Sequence, residues 1–268
     1  MIWISLIGGV LGVLAVVGAL LFLLQRRLLY PGPYLPISKR PGPLPDTVEK
    51  FEYDQGYGLF INAAAHLQDQ RPLLIYVHGN AETALLWSGA FDPIVNAGIS
   101  VLLLEYPGYA GAKGKPSYQS IKAAVLESYD HIVTRSDVDA SAIVAYGRSM
   151  GGGAVSLLAD HRPLAALCLE CTFASLRQLV AEKRIPGFLL RDRYENAKIL
   201  ARLKIPTFIY HGSDDTLIPI RHSHQLKAAA ADNATCVTGS FGHNNCPRPW
   251  TEVLAFLEEK TAIAIKKH

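Results

Sequence analysis

The sequence predicts an α/β fold: a mostly parallel sheet with helices on both faces, preceded by one N-terminal transmembrane helix. Three observations predict it. Short apolar runs rich in β-branched and aromatic residues recur along the chain, as in strands that are buried on both faces. Segments with helical spacing lie between those runs, which indicates parallel strands joined by helices. The chain also opens with an apolar stretch that carries no charge from Ile2 to Leu24.

The opening stretch is expected to be an uncleaved membrane anchor over residues 1–25. As a helix, Ile2 to Leu24 would span roughly 34 Å, enough to cross the hydrocarbon core of a bilayer. A cleaved signal peptide is the alternative, but it would have a basic start and a shorter apolar run. The basic residues that follow the anchor are Arg26, Arg27, Lys39 and Arg40. Because positive charge collects on the cytoplasmic side, we expect a single-pass membrane protein whose remaining chain faces the cytoplasm.

A Pro- and Gly-rich linker is expected over residues 26–46, between the anchor and a domain that covers residues 47–268. Its prolines are Pro31, Pro33, Pro36, Pro41, Pro43 and Pro45. Proline fixes φ and removes a backbone donor, so this density excludes regular helix and central strand. The segment is therefore expected to act as a semi-rigid spacer.

The domain is expected to alternate strands and helices. The expected strands are 73–78, 101–106, 142–147, 165–170 and 207–212, with another apolar segment, "TCVTGS", at 235–240. The expected helices are 120–135, 221–232 and 249–260. In folds of this kind the chemistry lies at the carboxyl ends of the strands, so the residues that follow each run are the first candidates.

Composition excludes several functions. The net charge is +3 and the Lys and Arg residues are scattered, which argues against a nucleic-acid partner because such a partner needs a dense basic face. The four cysteines are Cys168, Cys171, Cys236 and Cys246. The first two have C-x-x-C spacing but lack the second pair that a zinc site needs, and Cys168 ends an apolar run as a small buried hydrophobe would. We expect no metal and no cofactor.

The stretch from Gly147 to Gly151 matches G-x-S-x-G, after an expected strand and before "GGGAVSLLA". In this motif a strand turns sharply into a helix, the flanking glycines relieve crowding and the serine hydroxyl is exposed. A phosphate-binding glycine loop is the alternative, but it needs a Lys after its last glycine, where this chain has Ala154. We predict that Ser149 is a nucleophile and that the backbone N–H of Met150 is an oxyanion donor.

A candidate base and two candidate acids follow later strands. Among the nine histidines, His243 alone lies on a loop after a strand that follows the candidate acids. His222 and His224 are expected at a solvated helix start. Asp214 and Asp215 compete for the role of the acid, and strand geometry points only one of two neighbours toward the base. The residues by themselves do not choose between them.

These elements together resemble the α/β-hydrolase superfamily, and within it the membrane-anchored abhydrolase-domain serine hydrolases with a small lid. The matching segments are "HGNA", "EYPGYAGAKGKPS", "DVDASAIVAYGRSMGGG", "LECTFAS", "IPTFIYHGSDDTLIP" and "FGHNN". The resemblance implies the α/β-hydrolase fold. It also implies that Asp215 is the acid, within the pattern H-G-x-x-D-x-x-[VI]-P, and that the backbone of Asn80 is the second oxyanion donor. His78, in the same segment as Asn80, is then structural.

One segment departs from the family pattern. The family usually has a glycine and a serine where this chain has Ala110 and Ala112. The loop borders the site in relatives, so the shape of the site, and with it the substrate, is expected to differ.

The resemblance and the Ser-Asp-His set predict a serine esterase or thioesterase that forms an acyl-enzyme. A short lid, about 173–200, mixes apolar and basic residues; it suits an acyl chain or an anionic membrane face, and equally an ordinary amphipathic helix. The first expectation for the substrate is a fatty-acid ester or thioester of a small molecule, lipid or acylated protein. Arg148 is expected in a surface salt bridge. The alternatives are a peptidase, amidase or acyltransferase on the same fold, and a catalytically silent membrane-tethered binding module.

Overall fold

The computed structural model describes residues 2–34, 44–63 and 70–266. An eight-stranded sheet lies at its centre, with the strand order β1-β2-β4-β3-β5-β6-β7-β8. The strands are β1 Val48–Tyr53, β2 Gly56–Ile61, β3 Arg71–Val77, β4 Ser100–Leu104, β5 Val138–Arg148, β6 Ala166–Glu170, β7 Thr207–Gly212 and β8 Ala234–Gly239. The pairs β1·β2 and β2·β4 are antiparallel and all the other pairs are parallel.

Helices cover both faces of this sheet. They are α1 Ile2–Leu29, α2 Asp92–Asn96, α3 Tyr118–Ile132, α4 Met150–Ala159, α5 Leu176–Glu182, α6 Asn196–Leu200, α7 Arg221–Ala230 and α8 Trp250–Lys260. Apolar side chains of α3, α4, α6 and α7 form the core on one face, and those of α2 and α8 form the core on the other. The predicted fold class is therefore confirmed.

The predicted elements form for the reasons that the sequence suggests. The central strands β3 and β4 are apolar along their length and almost fully buried, as expected for strands covered on both faces. Helix α3 begins at a capping box, in which the Ser117 hydroxyl accepts from the backbone N–H of Ser120 at 3.1 Å. Its stripe of Ile121, Val125 and Ile132 is buried against the sheet.

The hairpin of β1 and β2 was not predicted. Strand β1, "VEKFEY", carries charged residues at alternating or adjacent positions and is largely exposed at the sheet edge. A search for continuous apolar runs detects buried central strands and misses such an edge strand. The hairpin begins at Val48, next to the expected start of the domain.

Helix α1 continues to Leu29, four residues beyond the expected end of the anchor at residue 25. It ends there because Tyr30 precedes Pro31, and a residue before proline disfavours the helical conformation. The segment Leu6–Leu29 is long and apolar enough to cross a membrane. A signal sequence near the N-terminus would meet the same criteria of length and composition. Of the expected linker, residues 32–34 form a short 3₁₀ turn, and residues 35–43, with Lys39 and Arg40, lie outside the described residues.

The register of the sheet brings the carboxyl ends of the central strands side by side. At the end of β3, Val77 pairs with Gly147 of β5, and Arg148 pairs with Glu170 of β6. The ends of β7 and β8 meet in the same way, with Gly212 opposite Gly239. The loops that follow these strands therefore meet at one edge of the sheet.

Candidate active site

The turn between β5 and α4 holds Ser149 in a strained conformation. Its φ of 54° and ψ of −117° lie in a region that non-glycine residues rarely adopt. Hydrogen bonds from the neighbouring strand stabilise the turn: Ser149 N donates to Glu170 O at 2.8 Å, and Ser149 O accepts from the Thr172 hydroxyl at 2.6 Å. The sharp turn predicted from G-x-S-x-G is present.

Two glycines make the turn possible through close approach of the backbone. A Cβ on Gly151 would lie 2.0 Å from the Val77 carbonyl oxygen, and a Cβ on Gly147 would lie 2.4 Å from Gly151 O. Both distances are far inside van der Waals contact, so a larger residue at either position requires the backbone to shift. The flanking glycines are therefore explained by packing, since neither of them has a positive φ.

His243 lies between Ser149 and Asp215 in a continuous chain of hydrogen bonds. Its Nε2 is 3.0 Å from Ser149 Oγ, and its Nδ1 is 2.7 Å from Asp215 Oδ2. All three residues are buried, with exposed fractions of 7%, 8% and 4% for Ser149, His243 and Asp215. The structure thus brings together the three side chains that the sequence predicts, from the ends of β5, β7 and β8.

The Asp215 carboxylate is held in its charged form. Burial alone would raise its pKa, but hydrogen bonds from His211, His243 and the backbone N–H of Ile218 outweigh burial and keep the pKa well below its usual range. Asp214, by contrast, is exposed and accepts a hydrogen bond from the Ser213 hydroxyl. Of the two competing aspartates, Asp215 is the one that contacts His243.

The charge of Asp215 fixes the tautomer of His243. An ionised carboxylate can only accept, so Nδ1 must carry the proton that it shares with Asp215 Oδ2. In the neutral ring, Nε2 is then an acceptor that faces the Ser149 hydroxyl. This is the arrangement in which a histidine can remove a proton from a serine.

Arg148, next to Ser149, forms buried ion pairs and not the surface salt bridge that the sequence predicted. It is 4% exposed and forms ion pairs with Glu82 and Glu170. Its Nη2 also donates to the backbone carbonyl of His243 at 2.7 Å. The guanidinium therefore ties the loop of His243 to the end of β5, where Ser149 follows. Sequence reasoning missed this role because the partners are distant along the chain.

His78 is structural, as the resemblance implies. Its ring is fully buried, with Nε2 2.8 Å from a Glu105 carboxylate oxygen and Nδ1 2.7 Å from the Gly79 carbonyl. Both neighbours are acceptors, so both ring nitrogens are needed as donors. Burial opposes the charged ring, but the Glu105 carboxylate outweighs burial and raises the pKa of His78.

The peptide of Asn80, the predicted second oxyanion donor, is held at the wall of the site. Its carbonyl oxygen accepts from the Tyr109 hydroxyl at 2.7 Å, and its side-chain amide donates to Leu29 O at 3.1 Å. Asn80, Ser149 and Met150 line one cavity. Ala110, in the loop beside Tyr109, has a φ of 39°, a backbone conformation that glycine adopts more readily than alanine.

The cavity above Ser149 measures about 170 Å³ and is mostly apolar. Its remaining lining residues are Leu29, Phe173, Leu176, Leu179, Val180, Lys183, Ile185, Leu217 and Ile218. Most of them belong to helix α5 and its flanks, within the expected lid. We call residues 173–200 the lid. The lid and α1 together enclose an apolar space next to the Ser149 hydroxyl.

The sequence was wrong about His222, which is buried; the exposed His224 agrees with the expectation of a solvated helix start. The Nδ1 of His222 accepts from the backbone N–H of Ala174, and its Nε2 lies 3.2 Å from Glu182. Burial lowers the pKa of His222, in keeping with a neutral ring. It therefore joins α7 to the lid and not to the candidate base.

Among the described residues, Cys171, Asp215 and His243 form a group whose potential ligand atoms lie within 4.8 Å of one another. The Cys171 thiol lies 3.7 Å from the Cys246 sulfur, and Cys168 is buried in the core. The C-x-x-C pair thus faces two different environments. A metal ion at this group would have to replace the hydrogen bond between His243 and Asp215.

No family model matches the chain. In sequence the chain is similar to an uncharacterised protein of Mycobacterium tuberculosis, 32% identical over 179 residues that cover 65% of this chain and 63% of that protein. It is also similar to the alpha/beta hydrolase domain-containing protein WAV2 of Arabidopsis thaliana, 30% identical over 161 residues that cover 53% of this chain and 52% of that protein. The matches therefore span less than two thirds of these relatives.

In structure the chain is similar to the butyrate-bound esterase Est2 of Thermogutta terrifontis. The TM-score is 0.67 at 16% sequence identity, over 83% of this chain and 97% of that one. At this identity the likeness concerns the fold. It confirms the fold that the sequence resemblance implied, that of the α/β-hydrolases.

Proposed function

We propose that this chain, whose fold is that of the α/β-hydrolases, is a serine hydrolase that cleaves carboxylic ester or thioester bonds. One observation carries the proposal: Ser149, His243 and Asp215 are hydrogen-bonded in series, and Ser149 lines a mostly apolar cavity. A nucleophile, a base within reach of it and a third group that orients the base are the parts that acyl transfer requires.

In the proposed reaction, His243 Nε2 takes the proton of the Ser149 hydroxyl as Oγ attacks the carbonyl carbon of the substrate. Asp215 stabilises the imidazolium that forms and keeps its orientation. His243 then protonates the leaving alcohol or thiol, and the acyl group remains on Ser149. In the second half, His243 removes a proton from water, which releases the acid and regenerates the hydroxyl.

We assign the oxyanion site to the backbone N–H groups of Met150 and Asn80. Met150 is the first residue of α4, so its N–H is one of the unpaired donors at a helix N-terminus, where the helix dipole also favours negative charge. The anchored peptide of Asn80 supplies the second donor from the opposite wall. Each such donor contributes about 3 kcal/mol to the stabilisation of the transition state.

The substrate class follows from the cavity. Its walls are apolar, and Lys183 is the charged residue among the side chains that line it. An ester or thioester with an apolar acyl group, on a small molecule, a lipid or an acylated protein, fits such a wall better than a polar peptide does. The esterase Est2 of Thermogutta terrifontis, to which the fold is similar, was observed with butyrate bound.

We further propose that α1 is an uncleaved single-pass anchor and that the hydrolase domain faces the cytoplasm. Leu29 lines the cavity of Ser149 and its carbonyl accepts from Asn80, so removal of the helix as a signal peptide would open the site. Arg26 and Arg27 at the end of the helix favour the cytoplasmic side. A reporter fused to the C-terminus tests the topology, and a reporter active on the far side of the membrane would reverse it.

The proposed activity is tested with three matched substrates: p-nitrophenyl butyrate, the corresponding thioester and the corresponding anilide. Full-length protein in detergent is expected to cleave the ester and the thioester with a burst of one leaving group per active site, because an acyl-enzyme accumulates. Ser149→Ala is expected to reduce both rates to background. Faster cleavage of the anilide than of the ester would instead favour an amidase.

A further inference from the structure

A second cavity opens beside the first, between α1 and the lid. It measures about 70 Å³ and is lined by Leu21, Gln25, Leu28, Leu29, Val180, Ile185, Pro186, Leu189 and Leu190. Leu29, Val180 and Ile185 line both cavities. The two cavities are therefore adjacent, and we call them together the acyl groove, with an inner cavity at Ser149 and an outer cavity against α1.

The acyl groove suits a hydrocarbon chain. Gln25 is the polar residue of its outer part, and the hydrogen bonds of its amide are already made. Its Nε2 donates to Phe22 O at 2.9 Å and to Leu189 O at 3.1 Å, while its Oε1 accepts from Arg191 N at 2.6 Å. A polar substituent in the groove would lose its hydrogen bonds to water without gaining a protein partner, which is costly. An apolar chain has no hydrogen bonds to lose.

The lid runs along the apolar part of α1. A Cβ on Gly18 would lie 4.0 Å from the Leu189 side chain, and the Arg191 guanidinium lies 5.4 Å from the ring centre of Phe22. Gly18 precedes Gln25 by seven residues, which is roughly 10 Å along the helix. The lid contains a short 3₁₀ turn, Gly187–Leu189. If α1 crosses a bilayer, this turn and its flanking residues lie against the part of α1 that is inside the membrane.

Exposed side chains on that turn fit such a location. Phe188 is 73% exposed and Ile185 is 37% exposed, and on α1 Leu28 is 64% exposed. Exposed Arg184 and Arg191 flank the turn. Large apolar groups bordered by arginines are typical of segments that lie in the membrane–water interface.

The groove is a fixed feature because α1 is tied to the domain at several points. Arg26 forms a two-point ion pair with Asp192 of the lid, at 2.9 and 3.0 Å. The hydroxyls of Tyr30 and Tyr194 lie 3.1 Å apart in the core. These contacts hold one wall of the groove, which α1 provides, against the other, which the lid provides.

We infer that the acyl groove admits the acyl chain of a membrane-resident ester laterally from the bilayer, and that Leu28 and Leu189, which line the outer cavity and not the inner one, select for long chains. This inference rests on the proposed hydrolase function. The N-terminal helix is then a wall of the substrate site in addition to an anchor. Short-chain esters need only the inner cavity, whereas long-chain esters need both.

The test compares p-nitrophenyl palmitate with p-nitrophenyl acetate, using full-length protein in phospholipid nanodiscs. Leu28→Trp and Leu189→Trp fill the outer cavity and leave the lining of the inner cavity unchanged. Each is expected to lower the palmitate-to-acetate ratio of kcat/KM by about tenfold or more, since misfit of even small apolar groups changes specificity by about 10–200-fold. Leu20→Trp is the matched control: Leu20 is 51% exposed on α1 and lines neither cavity, so the ratio should not change.

An unchanged ratio in both groove variants would overturn the inference, and so would an equal change in Leu20→Trp. Labelling of Ser149 by a fluorophosphonate in each variant checks that the nucleophile remains reactive. Wild-type protein that hydrolysed neither ester and resisted the probe would overturn the proposed hydrolase itself, and the groove assignment with it. The two failures are therefore distinguishable.

Discussion

At Ser149 the chain holds a backbone conformation with φ of 54°, which costs on the order of 1–3 kcal/mol at a non-glycine residue. The surroundings offset this cost with hydrogen bonds from Thr172 and to Glu170 O. In this conformation the Ser149 hydroxyl lies 3.0 Å from His243 Nε2. A residue in an unfavourable conformation, stabilised on all sides, is typical of a functional site.

The two neighbouring aspartates give a matched pair of variants. Asp215→Asn is expected to lower kcat by about 10⁴-fold, because an amide facing Nδ1 favours the wrong tautomer of His243. Asp214→Asn is expected to leave kcat close to the wild-type value, since Asp214 is exposed and its side chain accepts from the adjacent Ser213 hydroxyl and not from His243. Steady-state hydrolysis of p-nitrophenyl butyrate measures both. The opposite order of effects would mean that the acid is Asp214.

At the scale of elements, α1 and the lid are joined by an ion pair of unequal burial. The Asp192 side chain is 2% exposed and that of Arg26 is 38% exposed. Arg26→Ala would leave a carboxylate buried without a partner and is expected to destabilise the fold by about 2 kcal/mol, less than for a fully buried pair because Arg26 is partly solvated.

Thermal unfolding in detergent measures this loss. The control is Arg27→Ala, because Arg27 is exposed and contacts the ring of Tyr34. It is expected to unfold at the wild-type temperature. Equal unfolding temperatures for Arg26→Ala and Arg27→Ala would contradict a structural role for the contact between α1 and the lid.

Glu182, the last residue of α5 in the lid, ties the lid to α7. Hydrogen bonds from Arg221, and to a lesser extent from Gln178 and His222, lower the pKa of this carboxyl to about 2. Because the pKa is lower in the folded state, Glu182 stabilises the fold fully above about pH 4.5, and this stabilisation is lost as the pH falls toward about 2.

The acid limb of the stability curve checks this coupling. Glu182→Gln is expected to lose stability less steeply than the wild type between about pH 4.5 and about pH 2. Glu259→Gln, a change at a carboxylate that is 69% exposed on α8, should follow the wild-type curve. Superimposable acid limbs for Glu182→Gln and the wild type would argue against the coupling.

At the scale of the whole molecule, the sequence predicts the central sheet well because burial on both faces forces continuous apolar runs. It also predicts Ser149 and His243 from their positions after strands. Asp214 and Asp215 follow the same strand, so their position after that strand does not show which of them is the acid. The family pattern is what favours Asp215. The structure brings Asp215 to His243 through the backbone N–H groups of Leu217 and Ile218.

What the sequence could not predict are contacts between distant segments. Arg148 meets His243 O across 95 residues, and Gln25 meets Leu189 O across 164 residues. Neither contact leaves a local pattern, because each depends on how the sheet and the lid fold over one another. Edge strand β1 was missed for a different reason, since its exposed face carries charged residues instead of an apolar run.

We propose above all that Ser149 is a nucleophile activated by its neighbours. A fluorophosphonate probe reacts covalently with such a serine and not with an ordinary hydroxyl. Full-length protein in detergent is expected to be labelled at Ser149, and Ser149→Ala is expected to remain unlabelled. Failure to label the wild type, or labelling that persists in Ser149→Ala, would contradict the account.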